Sequence, residues 1–233
     1  MIRTLHFVWL GQELPVVRFL HRTVADLYPG WPVRVWTGPP EDWPPAWQAA
    51  YDRAPDHARR ADILRLWALT SEGGVYYDSD FAGRAPLPPE ILEAPFACGF
   101  LPICNDQDAR ICWRGVVGIA ANSLIVADRR SPVLAELVAL ALAATPDAWM
   151  SYGSRPMARV WSRHRFPLMP PEALFPGWDT RRQPGAPERA WHHAFHADTL
   201  EGECATHLWL RGSQYALAQE WYDRDRAELT LRR

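Results

Sequence analysis

The chain contains no lysine: all 25 of its basic residues are arginine, and no function follows from that bias. Cysteine is scarce. Cys98, Cys104, Cys112 and Cys204 lack the C-x-x-C spacing of a zinc site, and four thiols in 233 residues do not make a disulfide scaffold. Reduced thiols are expected. No apolar run reaches the ~20 residues that a membrane-spanning helix needs, and Met1-Ile2-Arg3-Thr4-Leu5-His6 is too short and polar for a signal peptide. A cytoplasmic protein with no membrane span is expected. Net charge is small as well, 25 basic against 27 acidic residues, so nothing draws the chain to nucleic acid or to an anionic membrane. No nucleic-acid partner is expected.

What is present points to one sizeable core. Apolar residues make up 48% and charged residues 22%, ordinary values for a globular protein, and the length suits a single α/β domain over residues 1–233. Tryptophan (13) and proline (22) are high. Tryptophan is mostly a core residue, but it also makes a platform on which bases and sugars stack.

The most informative stretch is Ala61–Phe81, ADILRLWALTSEGGVYYDSDF. A helical projection of 61–70 puts Ile63, Leu64, Leu66, Trp67 and Leu69 almost all the way round, so this helix should be buried on most sides. Its only charges, Asp62 and Arg65, fall three residues apart on one face. That face reads either as a solvated ion pair or as one wall of a pocket. The pocket is preferred, because an ion pair buried without a function is weak support for stability. Arg59, one turn earlier, reaches toward the same pocket. Gly73-Gly74 ends the helix in a left-handed cap, and Val75-Tyr76-Tyr77 reads as a short strand running into Asp78-Ser79-Asp80. If the extended conformation persists, the two carboxylates point the same way, with Cα atoms roughly 6.5–7 Å apart. Such a pair suits a hard divalent cation, although Asp-x-Asp alone also occurs in plain solvated turns.

The chain's start supplies a second pattern. Leu5–Gly11 reads as a buried parallel strand, Val16–Tyr28 as a helix and Val33–Trp36 as a second strand. This is a βαβ unit, which binds ligands at the carboxyl ends of its strands. Trp9 lies at such an end, and Thr37 opens the loop after the second strand. Trp43 and Trp47, in that proline-rich loop, read equally as a sugar-binding rim or as a cover over a small core. Residues 92–108 give no clear pattern. Val116–Ile119 and Asn122–Ala127 read as further strand, and Ser131-Pro132 as the N-cap and first residue of a helix to about Ala144.

Taken together, ADILRLWALTSEGGVYYDSDF, HFVWLG near the start and HLWLRGSQ near the end resemble the retaining, Asp-x-Asp-containing glycosyltransferases. That family includes the yeast initiating α-mannosyltransferase, the animal α1,4-galactosyl- and α1,4-N-acetylglucosaminyltransferases and, more distantly, the clostridial glucosylating toxins. The resemblance covers about half of the chain. It implies a GT-A-type α/β fold with a Rossmann-like mixed sheet flanked by helices. It also implies a nucleotide-sugar donor, a UDP-sugar in preference to a GDP-sugar, a glycan or other hydroxyl acceptor, and manganese, with magnesium as the alternative. Unlike the Golgi members, this chain has no expected stem or anchor.

The resemblance also distributes roles. Asp80 would ligate the metal directly, Asp78 would bridge metal-bound water and donor hydroxyls, and His207, from a carboxy-terminal loop, would complete the metal site. Asp62 would hold sugar hydroxyls, with Arg65 a cationic contact to the leaving diphosphate and Tyr76 and Arg59 lining the donor pocket. Trp9 would clamp the base, which the backbone of Val8 would read, with Thr37, Asn122 and Ser213 as further donor contacts. For Trp9 a core position, and for Asn122 an ordinary turn, are the plainer alternatives. Arg155-Pro156 stands where the family has a Gly-Pro turn, and His192, His193 and His196 read as surface or supporting residues. A sugar-nucleotide hydrolase and a non-catalytic nucleotide-sugar-binding domain are the rival functions.

Overall fold

The computed structural model describes residues 3–102, 106–145, 150–174, 191, 193–195, 203–208, 210 and 214–231. The chain divides into two units, each with its own sheet. Unit 1 comprises Met1–Gly11, Gly30–Asp78 and Leu87–Pro171; unit 2 comprises Gln12–Pro29, Ser79–Pro86 and Glu172–Arg233.

Unit 1 is built on a mixed sheet. Strands β1 (Leu5–Val8), β2 (Val33–Trp36) and β3 (Gly74–Tyr77) pair in parallel around β1. β3 then pairs antiparallel with the long β7 (Val116–Ala127), which also carries β5 (Phe96–Leu101) and β6 (Arg110–Trp113). The short β8 (Leu168–Met169) adds to β5 in parallel. β1 and β3 are buried throughout, as their apolar sequences require, whereas β2 is the exposed edge.

Helix α3 (His57–Glu72) is longer at both ends than its apolar pattern indicates, and its charges explain the start. Asp56 caps it by accepting the Arg59 backbone N–H at 2.8 Å. Gly73 ends it at φ +67°, and Gly74, at φ +117°, passes so close to the Thr4 carbonyl that no Cβ would fit. Ile63, Leu64, Leu66, Ala68 and Leu69 are buried, as is Arg65. α3 packs on β1 and β3 and against α2 (Pro45–Arg53) and α5 (Pro132–Leu142), while α6 (Ser154–His164) packs on β7 and α5. The core under these helices includes Val8, Tyr76, Phe96, Ile125, Leu137 and Trp161.

Several sequence expectations change here. Trp43 and Trp47 are both buried, stack on each other and meet Tyr51 and Trp67 edge-on beside α2 and α3, so they cover the core and form no sugar-binding rim. The expected strands 116–119 and 122–127 are one strand of 12 residues, with Asn122 in its middle. β5 lies within the stretch whose pattern was unclear. Ser131 stands at the α5 N-cap, but its hydroxyl makes no capping bond.

Unit 2 contains α1 (Pro15–Ala25), the carboxy-terminal helix α8 (Gln214–Leu231) and a two-stranded sheet of β4 (Phe81–Gly83) and β9 (Ala205–His207). α1 contacts both β4 and α8. Gly83 lies against the Thr23 carbonyl where a Cβ could not fit, and its N–H donates to Thr23 Oγ1 at 2.8 Å. Two short helices, α4 (Pro89–Leu92) in unit 1 and α7 (Pro171–Leu174), complete the described elements used here. Among the described residues no helix is long and apolar enough to cross a membrane.

Candidate functional site

The parallel strands of unit 1 place their carboxyl ends on one edge of the sheet, and most of the expected residues follow from that. β1 ends at the buried Val8, followed by the half-buried Trp9, whose N–H donates to the Trp36 carbonyl at 2.9 Å. β2 is followed by Thr37, which is exposed, and β3 by Asp78. The antiparallel partner β7 then sets the register: Tyr77 lies opposite Leu124, so the Asp78 N–H reaches the Ser123 carbonyl at 2.8 Å and Asn122 comes alongside.

Arg65 is the centre of this cluster. Its guanidinium lies 3.0 Å from an Asp62 oxygen and 3.1 Å from an Asp78 oxygen, donates to the Asn122 carbonyl, and sits 4.6 Å over the Tyr76 ring. Asp62 and Arg65 meet because they are one helical turn apart. Tyr76 and Asp78 meet because they are two apart on a strand, and the phenol donates to Asp78 at 2.6 Å. Asn122 donates its amide to Asp62 at 2.7 Å. Burial pushes the Asp62 carboxyl up to about 6, with Arg65 and Asn122 opposing the rise and Asp78 adding to it. Burial likewise drives the Tyr76 phenol well above its ordinary value. Tyr76 therefore remains a neutral donor that orients Asp78.

A crevice beside this cluster is lined by Asp62, Arg65, Asn122, Tyr152, Gly153 and Met157 and has no room for a water molecule. Tyr152 and Gly153 were not singled out from sequence. A Cβ at 153 would overlap the Asn122 amide, so the absence of a side chain lets Asn122 lie against Asp62. The buried Tyr152 hydroxyl has no partner among the described residues. Arg59 takes another course: its guanidinium and its N–H both bind Asp56 at the start of α3.

Unit 2 holds the rest. The extended conformation expected of Asp78-Ser79-Asp80 does not persist: β3 stops at Tyr77 and residues 79–80 form a turn. Side-chain bonds hold this turn. The Ser79 hydroxyl is 2.9 Å from His21 Nε2, and the Asp80 carboxylate takes the Leu210 N–H at 2.9 Å and lies 2.9 Å from His207 Nε2. His207 is on β9, in register with Phe81, whose ring stacks on the imidazole at 4.6 Å; its element is a strand and not the expected loop. Burial lowers the His21 imidazole to about 4, so it is neutral at ordinary pH. At the other end of the pairing, the buried Glu203 carboxylate takes the Thr206 hydroxyl at 2.7 Å, with His193 at 3.1 Å and Arg84 at 3.4 Å. His193 thus contacts a buried acid. Ser213, His192, His196 and Cys104 lie outside the described residues.

Residues 20–97 match the family model of the glycosyltransferase sugar-binding region containing the DXD motif, a segment that holds Asp62, Arg65, Tyr76, Asp78 and Asp80. A stretch of 72 residues is 35% identical to the subversion of eukaryotic traffic protein A of Legionella pneumophila, covering 31% of this chain and 11% of that protein. This chain therefore spans about a tenth of the curated relative's length. A glycosyltransferase involved in glycosylation of the major capsid of PBCV-1 is similar over 96% of this chain and all of its own, with TM-score 0.52 and 12% identity. The PaToxG glycosyltransferase is similar over 69% of each chain, with TM-score 0.50 and 14% identity. These two likenesses show the fold, the GT-A-type α/β arrangement with a mixed sheet flanked by helices.

Proposed function

We propose that this chain is a retaining hexosyltransferase that moves a sugar from a nucleotide-sugar, UDP-linked in preference to GDP-linked, to a hydroxyl of a glycan or other cellular acceptor. The observation that carries the proposal is the pairing of Asp62 and Asp78 with the buried Arg65, all three inside the segment that matches the Asp-x-Asp sugar-binding region, with Asn122 beside them. Manganese, or magnesium in its place, is part of the reading. The donor set fits such an ion: Asp80 and His207 offer a carboxylate oxygen and an imidazole nitrogen 2.9 Å apart, and Asp78 is joined to Asp80 through a single residue. When bound, the ion supplies positive charge against the diphosphate that departs with the nucleotide.

The chain's own residues divide the remaining work. Asp62 and Asn122 hold sugar hydroxyls and orient the anomeric carbon. Arg65 adds cationic stabilisation to the leaving diphosphate, and Tyr76 fixes the Asp78 carboxylate. Trp9 stacks on the base, with the Val8 backbone beside it. In the transfer, the bond from the anomeric carbon to the diphosphate oxygen breaks, the bond to the acceptor oxygen forms on the same face, and the acceptor's proton passes to the departing diphosphate. This front-face route needs no carboxylate nucleophile, and Asp62 is better suited to hydroxyl contacts.

The test is nucleotide release from a panel of UDP- and GDP-sugars with Mn²⁺, with and without acceptors, for the wild type and for Asp80→Asn. The reading expects UDP-sugar turnover that chelation abolishes and that Asp80→Asn loses almost entirely while remaining folded. Near-normal Mn²⁺-dependent turnover by Asp80→Asn would sink the ligand assignment. Release to water alone would make the protein a hydrolase, and tight binding without release a binding domain.

A further inference from the structure

Unit 2 buries a histidine to which the chemistry above gives no task. His21 lies on α1, 7% exposed, and its imidazole is neutral; burying an aromatic nitrogen pair inside a helix packing face is costly unless it is hydrogen-bonded. Its Nε2 is 2.9 Å from the hydroxyl of Ser79, itself only 5% exposed. Ser79 is the middle residue of Asp78-Ser79-Asp80. Two residues along α1, Thr23 Oγ1 accepts the Gly83 N–H at 2.8 Å, and the close approach of Gly83 to the Thr23 carbonyl leaves no slack between helix and strand. α1 therefore grips the segment 79–83 at both ends.

We propose that His21 is a positioning residue for the cation site: through Ser79 it fixes the turn that aims the Asp80 carboxylate at the ion. The inference rests on the metal reading above and deepens it. A Ser79 that has lost its bond to His21 is less constrained, and the Asp80 carboxylate, tied to the next peptide unit, then spends part of its time away from the direction set by His207 and the Leu210 N–H. Metal affinity falls by the population lost. The diphosphate contact of Arg65 is in unit 1 and is untouched, so turnover at saturating metal changes little.

The experiment uses the full chain and three variants: His21→Leu, which keeps bulk and burial but removes the bond; His21→Gln, whose terminal amide reaches the place of Nε2; and Ser79→Ala. Mn²⁺ binding in the presence of UDP is read directly from the electron paramagnetic resonance signal of the unbound ion, beside activity titrated with Mn²⁺. A single buried hydrogen bond is worth about 0.5–1.5 kcal/mol, so His21→Leu and Ser79→Ala should each weaken Mn²⁺ binding about 3- to 10-fold, with kcat at saturating Mn²⁺ within about 2-fold of wild type. The double variant His21→Leu/Ser79→Ala should be no weaker than either single one, and His21→Gln should return most of the affinity. Unchanged Mn²⁺ affinity in His21→Leu, whatever its thermal stability, overturns the inference while the metal reading stands, provided Asp80→Asn loses binding. If the wild type itself binds no Mn²⁺ with UDP, the metal reading falls and this inference with it. Additive losses in the double variant also overturn it, since the two side chains would then act separately.

Discussion

Two acidic clusters, one in each unit, differ in what neutralises them. Asp62 and Asp78 share one buried arginine at 3.0 and 3.1 Å, so their charge is largely met from within. Asp80 is held by an imidazole and a backbone N–H and, among the described residues, has no arginine partner. The difference assigns the work. A carboxylate already paired with a guanidinium gains less from a metal ion than one held by a backbone N–H and an imidazole, which is itself a metal ligand. Under the proposed function, the arginine-paired cluster takes the hydroxyls of a sugar and the Asp80–His207 pair a cation. Asp78, with Arg65 on one side and a phenol on the other, belongs to the arginine-paired cluster, and under the proposed function it would meet the ion only through metal-bound water.

The largest expected effect comes from removing the shared cation. Arg65→Ala removes a buried cation and leaves two partly buried carboxylates without it, and breaking a buried pair costs about 3–5 kcal/mol. Chemical denaturation should show a loss of that size. A loss below about 1 kcal/mol would mean that water already screens the cluster, and the contrast with Asp80 would lose its basis.

A somewhat smaller effect tests the contrast through pH. Asp62 titrates at about 6 in the folded chain against 3.8 in the unfolded one, so its stabilising contribution is present below about 4 and is lost as pH rises through 6. His21 titrates at about 4 against 6.5, so its contribution is present above 6.5 and is lost as pH falls through 4. The two trends oppose each other over the same range. Relative to wild type, Asp62→Asn should gain up to about 3 kcal/mol as pH rises from 4 to 7, and His21→Leu should lose a comparable amount. Unfolding measured across that range for all three proteins decides it; parallel curves would refute both assignments.

The smallest effect is the sharpest. Gly153→Ala should leave the fold intact, because the Asn122 amide can swing aside, but at the cost of its bond to Asp62. We expect about a 3- to 10-fold rise in the KM for donor from one lost hydrogen bond, with Mn²⁺ affinity unchanged. A change in Mn²⁺ affinity without a change in donor KM would show that the two clusters are not functionally separate.

How far the sequence exposed these clusters depended on the distance over which each contact forms. Asp62 with Arg65 is set by helical periodicity and was legible before any fold was known, whereas Tyr76 with Asp78 obeys strand periodicity but was passed over, because the same rule was applied to Asp78 and Asp80. The parallel βαβ start was legible from periodicity as well. Gly153 against Asn122 is a packing contact between a helix start and the middle of a strand, and nothing in either local sequence signals it. The turn at Ser79 was misread as extended because its partner, His21, is 58 residues away. Trp43 and Trp47 could not be placed from composition, because a loop aromatic and a core aromatic look alike until α2 is packed on α3. β5 carries small residues and a glycine, Ala97, Cys98 and Gly99, and pairs with β7 through a register shift at Cys98/Gly99, so no alternation marked it.

The order of the segments in unit 2 has a consequence during synthesis. Unit 1 has all of its residues once Pro171 is made, whereas Gln12–Pro29 and Ser79–Pro86 emerge early and wait for the segment beginning at Glu172. His207 follows Asp80 by 127 residues, and ribosomes add about 5–20 residues per second, so Asp80 leaves the ribosome several seconds before its partner exists. During that interval the Phe81–Gly83 strand has no β9 to pair with, and its unpaired backbone groups are open to chaperones or to misassociation. Under the proposed function, a nascent chain would hold no cation through both ligands, and would consume no donor, before β9 is in place.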